Sequence, residues 1–426
     1  MTLAIFLSVL IISILLGLPV AFALLLSSIA LMFHMDMFSA DILAQGLLNG
    51  VDSFTLLAIP FFLVAGEVMS TGGLSTRIVR LATTYVGHRK GGLGYVAILT
   101  SVLLAGLSGS AVADAAALVS ILYPMMKAGK YPEGSSMGLL ASGGIIAPVI
   151  PPSIPLILVG VAGGISIKNL FLGGIIPGLL MGLTLMLVWG HIAKKEKLDV
   201  VERASKEEKR AALKDGIWAL FLPIIIIVGI RFGIFTPTEA AVVAAAYAVF
   251  VSTVIYRELT FKKFFHILLA AGRSTAMVMF LVGCAMVAAW LITVAQLPQQ
   301  LAEMLGPLVD SPRLLMAVIM LLVLCVGMVM DLSPTILILV PLLMPIVKLA
   351  GIDPTYFGLM FVINCSIGLL TPPVGTVLNV VCGVAKVQMS TAVKGVIPFI
   401  AAYLMLLTMF VLFPEIITVP MQLVIG

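Results

Sequence analysis

Apolar runs as long as a lipid bilayer is thick recur from one end of this chain to the other, and four of them are interrupted near the middle by glycine, serine or proline. A helix needs about 20 apolar residues to cross the hydrocarbon core of a bilayer. With 62% of its 426 residues hydrophobic and 10% charged, the chain cannot cover a soluble core with polar surface. The sequence therefore predicts an all-α polytopic membrane protein whose first partner is the lipid bilayer.

The charges and cysteines exclude several other classes of protein and site. The net charge of +5 comes from lysines and arginines dispersed over the loops, which predicts membrane topology rather than nucleic-acid binding. The apolar N-terminus lacks the charged region and cleavage site of a signal peptide, so we expect none. The four cysteines lie in apolar stretches without metal-ligand spacing, and we expect them to be buried thiols.

The unbroken and broken apolar stretches can be placed along the chain. We predict two short helices at 2–17 and 19–34, an interfacial connector at 37–50 and an amphipathic helix at 74–88. The predicted unbroken spans are 53–72, 170–192, 216–234, 238–256, 274–296 and 395–416. The predicted broken stretches are hairpins at 92–128 and 313–349 and broken helices at 135–165 and 355–385.

The broken stretches indicate an internal duplication. Gly106 and Gly327 lie 221 positions apart, as do Ser110 and Asp331, and the diprolines that begin at 151 and 372. Chance matches are common in apolar chains, but one fixed offset between such different residues is not. We predict a first repeat at 1–192, a cytoplasmic linker at 193–215 and a second repeat at 216–426.

The positively charged residues predict how the repeats are oriented. If the hairpin at 92–128 enters and leaves on one side, all but four of the 24 lysines and arginines lie on the cytoplasmic side, as the positive-inside rule expects. The exceptions are Lys168, Arg231, Arg313 and Lys348. The second hairpin then opens to the opposite side, although a stretch 92–128 that crosses the membrane twice would give nearly the same count. Two oppositely oriented repeats with re-entrant hairpins are an inverted repeat, which is typical of transporters.

The interruptions are also where chemistry is expected. Glycine and proline weaken helical hydrogen bonding, and the freed carbonyls are tolerated at membrane depth only where protein or a water-filled cavity satisfies them. Carbonyls, hydroxyls and a carboxylate are hard oxygen ligands suited to a small cation, whereas helix N-termini favour an anion. Each half is therefore predicted to form one sodium site from a hairpin tip and a broken helix, with an anionic substrate between the two.

The residues that carry this prediction fall into three sets. The first-half sodium ligands are predicted to be Ser108, Gly109, Ser110, Asp114, Pro151 and Ser153. The second-half sodium ligands are predicted to be Gly327, Asp331, Ser333, Thr371, Gly375 and Thr376. The predicted substrate-binding residues are Ser110, Pro152, Pro373 and Asn379.

Each feature also has a purely structural explanation. Glycines allow close helix packing, diprolines kink a helix, and Asp114 fits a helix end near water. Asp331 lies deep in an apolar run, where acids are usually functional. For Asn364, Asn379 and Glu67, packing and ligation remain equally open, and Glu239 also fits a helix start after Pro237.

Five motifs give the chain a resemblance to a known family. They are Leu107–Asp114, Ala147–Ser153, Phe235–Ala241, Gly327–Asp331 and Leu370–Gly375. With them the chain resembles the large membrane subunit of tripartite ATP-independent periplasmic (TRAP) transporters over its whole length. Within that family, the stretches 53–62 and 364–371 are most similar to diketogulonate systems.

The resemblance implies properties that composition does not show. It implies an elevator-type carrier, in which the part that holds both hairpins moves against a scaffold, with sodium as the coupling ion and no other cofactor. It implies a small four-helix membrane subunit and a periplasmic substrate-binding protein as partners, a small organic acid anion as substrate, and the bacterial inner membrane as location. It implies neither enzyme activity nor nucleotide hydrolysis, and the chain contains no Gly-x4-Gly-Lys-Ser/Thr loop.

Three alternatives remain open at this point. The substrate is expected to be diketogulonate or a related sugar acid, with sialic acid or a C4-dicarboxylate as alternatives. A stand-alone sodium/organic-acid symporter has the same features and needs no partner. An intramembrane hydrolase that uses Asp114 and Asp331 as an acid pair requires the two carboxylates to lie close together, although the repeat pairs Asp331 with Ser110 instead.

Overall fold

The computed structural model describes residues 2–196, 198, 203–304 and 306–425, and these residues contain helices and no strand. Eight of the described helices are long and apolar enough to cross a membrane. These eight are Phe54–Thr71, Ala111–Ala128, Ile167–Lys195, Lys206–Arg231, Pro237–Ile255, Phe261–Val294, Leu332–Leu349 and Met389–Leu412. The predicted all-α polytopic fold is therefore confirmed.

The helices follow one another with short connections. The first half contains α1 (Thr2–Leu15), α2 (Val20–His34), α3 (Ala40–Val51), α4 (Ala58–Thr71), α5 (Leu74–Val86), α6 (Gly92–Ser108), α7 (Ala111–Ala128), α8 (Glu133–Gly144), α9 (Ile154–Gly163) and α10 (Ile167–Lys195). The second half begins with α11 (Lys206–Arg231), α12 (Pro237–Phe250), α13 (Phe261–Val294), α14 (Leu297–Met304) and α15 (Gly306–Val309). It continues with α16 (Pro312–Gly327), α17 (Leu332–Leu349), α18 (Pro354–Gly368), α19 (Thr376–Ala385), α20 (Met389–Leu412) and α21 (Glu415–Ile425). A 3₁₀ turn at Phe54–Leu57 precedes α4, and a π-helical segment at Val251–Ile255 follows α12.

Both predicted hairpins break where glycine and polar residues interrupt the apolar run. The first hairpin consists of α6 and α7, and the second consists of α16 and α17. At the first tip, Gly109 has a φ of +62°, a conformation that glycine adopts at little cost. Ser110 then caps α7, because its hydroxyl accepts a hydrogen bond from the Ala113 N–H at 3.4 Å.

Both predicted broken helices are also present. The first is α8 and α9, separated by residues 145–153, and the second is α18 and α19, separated by residues 369–375. A cis peptide bond joins the two prolines in each break.

In both halves the hairpin is followed by the broken helix. The start of α7 at Ala111 and the start of α17 at Leu332 differ by 221 positions, and so do the starts of α8 at Glu133 and α18 at Pro354. The halves also exchange packing partners, because α9 of the first half packs against α17 and α19 of the second half packs against α7. This order agrees with the predicted duplication, while the opposite membrane orientation of the repeats stays a prediction.

Several helix boundaries differ from the sequence predictions. The charged stretch 193–215 contains the end of α10 and the start of α11, because Ser205 and Glu208 form a capping box that starts α11 within it. Residues 197 and 199–202 of that predicted linker lie outside the described part of the chain. The helix α13 begins at Phe261 rather than 274, since lysines and an arginine hide its first turns from a hydropathy pattern. The last helix, α21, was not predicted.

A second group of helices packs beside the hairpins. The long helix α13 contacts α2, α3, α4 and α17, while α12 packs on α4 and α11 packs on α5. The amphipathic helix α5 connects this group to the first hairpin, since it also packs against α6.

Arg77 fixes α5 to the neighbouring helices. Its Nη1 lies 2.7 Å from Glu258 Oε1, its Nε lies 3.2 Å from Asp215 Oδ1, and its guanidinium stacks 3.7 Å from the centre of the Tyr256 ring. Burial alone lowers the pKa of the Arg77 guanidinium, but the hydrogen bonds to Glu258 and Asp215 outweigh this effect and raise its pKa. One side chain thus ties α5 to the start of α11 and to the segment that follows α12.

We expect Arg77→Lys to lower the stability of the folded chain by roughly 1–2 kcal/mol, because lysine cannot make the forked contacts and both acids are partly exposed. The measurement is the thermal unfolding midpoint of the purified protein in detergent. Arg80→Lys is the matched control, because the Arg80 side chain is 62% exposed and lies 3.6 Å from the same Asp215. Equal losses in both variants would contradict a special role for Arg77.

Candidate functional site

The first hairpin tip touches the first helix break. A Cβ atom added to Gly109 would lie 2.8 Å from the carbonyl oxygen of Pro152 and 2.9 Å from the Cα of Ser153. The backbone of the tip therefore lies directly against the backbone of the break between α8 and α9, as the predicted first-half site requires.

A polar cluster forms at this tip. The Ser108 hydroxyl donates a hydrogen bond to Oδ1 of Asp114 and accepts one from the Ser110 N–H at 3.1 Å. Asp114 lies at a helix end, in the first turn of α7, as the structural explanation expects, but it exposes only 6% of its surface. Its Oδ2 atom has no hydrogen-bond partner among the described residues, which leaves one carboxylate oxygen free to accept a ligand.

Ser153 is already engaged in holding the first break together. Its buried hydroxyl donates to the Pro148 carbonyl and accepts from the Leu156 N–H at 3.3 Å, and in this way it caps α9. Pro151 and Pro152 are buried beside it. The structure thus brings together the predicted first-half ligands of the tip and those of the break. The Ser153 hydroxyl, however, is already used in hydrogen bonds that stabilise the break.

The second tip touches the second break in a similar way. A Cβ atom added to Gly368 would lie 2.7 Å from the carbonyl carbon of Gly327, and the Val374 N–H donates to the Met328 carbonyl at 3.4 Å. The end of α16 is therefore packed against the break between α18 and α19.

Asp331 lies at the N-cap of α17, the position that Ser110 occupies on α7. Its backbone carbonyl accepts a hydrogen bond from the Thr335 hydroxyl at 2.8 Å, but its carboxylate makes no capping bond. Although the sequence places it deep in an apolar run, Asp331 is exposed on the surface of this chain. The carboxylate is therefore free for a ligand at a helix N-terminus.

The remaining predicted second-half ligands differ in burial and in whether their hydroxyl groups already have hydrogen-bond partners. The Thr371 hydroxyl donates to the Ile367 carbonyl at 2.9 Å, whereas the Thr376 hydroxyl is buried without a partner among the described atoms. Gly375 has a φ of +51° at the start of α19, and Ser333 is half-buried in the first turn of α17. Unlike its counterpart in the first half, the diproline that begins at 372 is exposed.

The four predicted substrate-binding residues do not meet in one place. Ser110 is at the first tip and Pro152 is buried, while Pro373 and Asn379 are exposed in the second half. The Asn379 amide donates to the Val374 carbonyl, which orders the second break. The predicted substrate set thus remains divided between the two halves in this conformation.

A cleft of about 310 Å³ with a mixed polar and apolar lining opens beside the first tip. Its polar lining comprises Glu67, Ser70, Ser75, Ser108, Ser110, Asp114 and Ser274. These side chains come from α4, α5, α6, α7 and α13 and from the first hairpin tip. Sequence reasoning left Glu67 undecided, because nothing in the local pattern shows that α4 faces the tip.

Several other polar residues make structural contacts. The amide nitrogen of Asn364 donates from buried α18 to the Met320 carbonyl on α16, whereas its Oδ1 is buried without a partner among the described atoms. Glu239 accepts hydrogen bonds from the Thr236 N–H and hydroxyl, both at 2.8 Å, as the plain helix start predicts. Three cysteines are buried as expected, but Cys325 is exposed on α16. Among the described residues no three histidine, cysteine or acidic side chains gather as a metal centre.

Comparisons with known proteins agree on one family. A model of the family described as "Tripartite ATP-independent periplasmic transporter, DctM component" matches residues 7–416. The 2,3-diketo-L-gulonate TRAP transporter large permease of Escherichia coli is 57% identical over 422 residues, which are 99% of each chain. The sialic acid TRAP large permease of Vibrio cholerae is 40% identical, over 96% of each chain.

More distant comparisons agree with the same architecture. The C4-dicarboxylate TRAP large permease of Pseudomonas aeruginosa is 38% identical, over 91% of this chain and 90% of the relative. The crystal structure of the Alcanivorax borkumensis YdaH transporter superposes with a TM-score of 0.67 at 16% identity and covers 89% of this chain and 90% of that one. This last likeness concerns the fold alone.

The fold and the paired breaks define a multi-pass transport protein of the membrane. The chain belongs to the tripartite ATP-independent periplasmic transporter family, in which it is the DctM component, the large permease. The predicted family, fold class, permease function and location in the inner membrane are confirmed.

Proposed function

We propose that this chain is the membrane pathway of a sodium-driven importer of a small organic acid anion, and that this anion is diketogulonate or a related acid. We also propose that the chain catalyses no covalent reaction. The observation that carries the substrate class is the 57% identity with a diketogulonate large permease across the whole length of both chains. Sialic acid and C4-dicarboxylates are the alternative substrates, since permeases for them are 40% and 38% identical.

Sodium coupling is supported by the chemistry of the two tip–break contacts. At the first contact a buried carboxylate with one unpartnered oxygen lies beside the Ser108 hydroxyl and close to the backbone of the break. At the second contact the exposed Asp331 carboxylate adjoins the end of α16. Oxygen donors of these kinds suit a hard monovalent cation.

An elevator movement is supported by how the helices pack. Because α9 packs on α17 and α19 packs on α7, the two hairpins and two broken helices hold one another as a single unit. The helices α2, α3, α4, α12 and α13 form the neighbouring group. We propose that the first unit slides past the second while both breaks stay assembled.

The proposed partners are a small four-helix membrane subunit and a periplasmic binding protein that delivers the acid. The family description names a tripartite periplasmic transporter, and this chain supplies its DctM component. The acid pair required by a hydrolase is not supported, because Asp331 is exposed and does not line the cleft that contains Asp114.

The partner requirement can be tested in proteoliposomes that hold this chain and its small subunit under an inward sodium gradient. We expect radiolabelled diketogulonate to enter only when the binding protein is present outside, because the binding protein hands over its ligand at the permease. Uptake without the binding protein would instead show a stand-alone symporter. Uptake of sialic acid or a C4-dicarboxylate, but not diketogulonate, would keep the function and replace the substrate.

A further inference from the structure

The cleft beside the first tip lies between two groups of helices. Its one wall is α4, which packs mainly against α12 and α13 and also touches α6 and α9 of the hairpin unit. Its other wall is the tip and first turns of α7, a helix that packs against α8 and α19. A ligand in this cleft therefore touches both the hairpin unit and the neighbouring helices.

The polar side chains in the cleft lining are either acidic or hydroxyl-bearing. Glu67 on α4 and Asp114 on α7 are its charged side chains, five serines supply hydroxyl oxygens, and no lysine, arginine or histidine lines it. Asp114 is more than nine-tenths buried, and its Oδ2 has no partner among the described residues. Glu67 is half-buried and faces the same space from the opposite wall.

Such a lining is costly unless a cation is present. A buried, charged carboxylate with one unpartnered oxygen is unfavourable, and a second charged carboxylate facing the same space increases that cost. Carboxylate and hydroxyl oxygens are the hard donors that small cations prefer. The volume of about 310 Å³ accommodates a cation together with several water molecules.

We propose that Glu67 and Asp114 hold a monovalent cation of sodium's size between α4 and the first hairpin tip. This site shares Asp114 with the predicted first-half tip–break site and adds to it Glu67, a ligand from outside the hairpin unit. Since its ligands lie on both walls, the site is complete only in this relative position of the two units and is taken apart when they slide. The inference rests on the proposed sodium coupling.

The site also restricts where the substrate binds. An organic acid anion in this cleft would face two carboxylates and no basic side chain. We infer that the anion is held elsewhere, which is at odds with the predicted substrate contact of Ser110, because Ser110 belongs to this lining.

The test is a sodium titration of thermal stability with the purified chain in detergent, at constant ionic strength maintained with choline. A ligand that binds the folded state raises the unfolding midpoint. We expect Glu67→Gln to shift the sodium dependence to about tenfold higher concentration, because the variant keeps the size of the side chain and loses its charge. Glu67→Asp should restore part of the affinity.

Controls separate this inference from the proposed function. Glu415→Gln removes an exposed acid on α21, 4.0 Å from Arg313, and should titrate like the parent chain. If Glu67→Gln does not fold, Ser70→Lys places an ammonium group in the same cleft and should weaken the sodium response equally. If the parent chain responds to sodium and both cleft variants respond just as the parent does, the Glu67 site alone is wrong. A parent chain without any sodium response would overturn the sodium coupling itself.

Discussion

Gly395→Ala is expected to destabilise the chain by roughly 3 kcal/mol, at the upper end of the cost of overpacking a core. The helices α8 and α20 approach closely here, and a Cβ atom on Gly395 would lie 1.9 Å from the Gly134 carbonyl oxygen and 2.7 Å from the Gly134 Cα. The obstructing atoms belong to a backbone, so no side chain can rotate away. The two helices must separate, and the contact between the first broken helix and α20 is lost.

The measurement is the unfolding midpoint and the monodisperse yield of the variant in detergent. Gly272→Ala is the matched control, since Gly272 is also helical and a Cβ atom added there meets nothing within 4 Å. The control should be neutral or slightly stabilising, because alanine favours a helix more than glycine does. A Gly395→Ala protein as stable as the control would show that these helices do not pack as described.

Asp331→Asn is expected to reduce sodium-dependent uptake at least about tenfold, the effect of losing roughly 1.4 kcal/mol of binding. Asparagine caps a helix as well as aspartate does, and the Asp331 carboxylate makes no capping bond in any case. The start of α17 should therefore be preserved, so that the loss reports the missing charge. The measurement is initial uptake as a function of sodium concentration in proteoliposomes.

The chain offers a close control for this variant. Asp353 caps α18, and its carboxylate does accept a hydrogen bond, from the Tyr356 N–H at 2.7 Å. Asp353→Asn should leave the sodium activation curve unchanged. If Asp331→Asn and its control give the same curve, the assignment of Asp331 as a sodium ligand is wrong.

The broken helices could be predicted because their causes are local. Glycine and proline act on their own backbone, so Gly109 and the two diprolines mark the interruptions in the sequence itself. The paired offset then predicts that a tip and a break lie in each half. In the structure they touch, as the predicted sites require, through Gly109 and Pro152 in one half and through Gly327 and Gly368 in the other.

The rest of the candidate site depends on packing between distant segments. Glu67 lies 47 positions before Asp114, and no local pattern shows that α4 and α7 face the same cleft. For the same reason, the sequence did not predict that Asp331 is exposed among apolar neighbours, or that the Ser153 hydroxyl donates its hydrogen bond to the Pro148 carbonyl. Helix ends within charged stretches were missed because capping residues, rather than hydropathy, determine them.

Sodium-driven import is the central claim, and accumulation against a gradient tests it most directly. Proteoliposomes would contain both membrane subunits, with the binding protein and radiolabelled diketogulonate outside. In one arm the lumen contains potassium and sodium is higher outside; in the other arm the sodium concentration is equal on both sides. We predict accumulation above the external concentration only with the inward sodium gradient, and its collapse when a sodium ionophore is added. Accumulation that persists with potassium in place of sodium would contradict the proposed coupling.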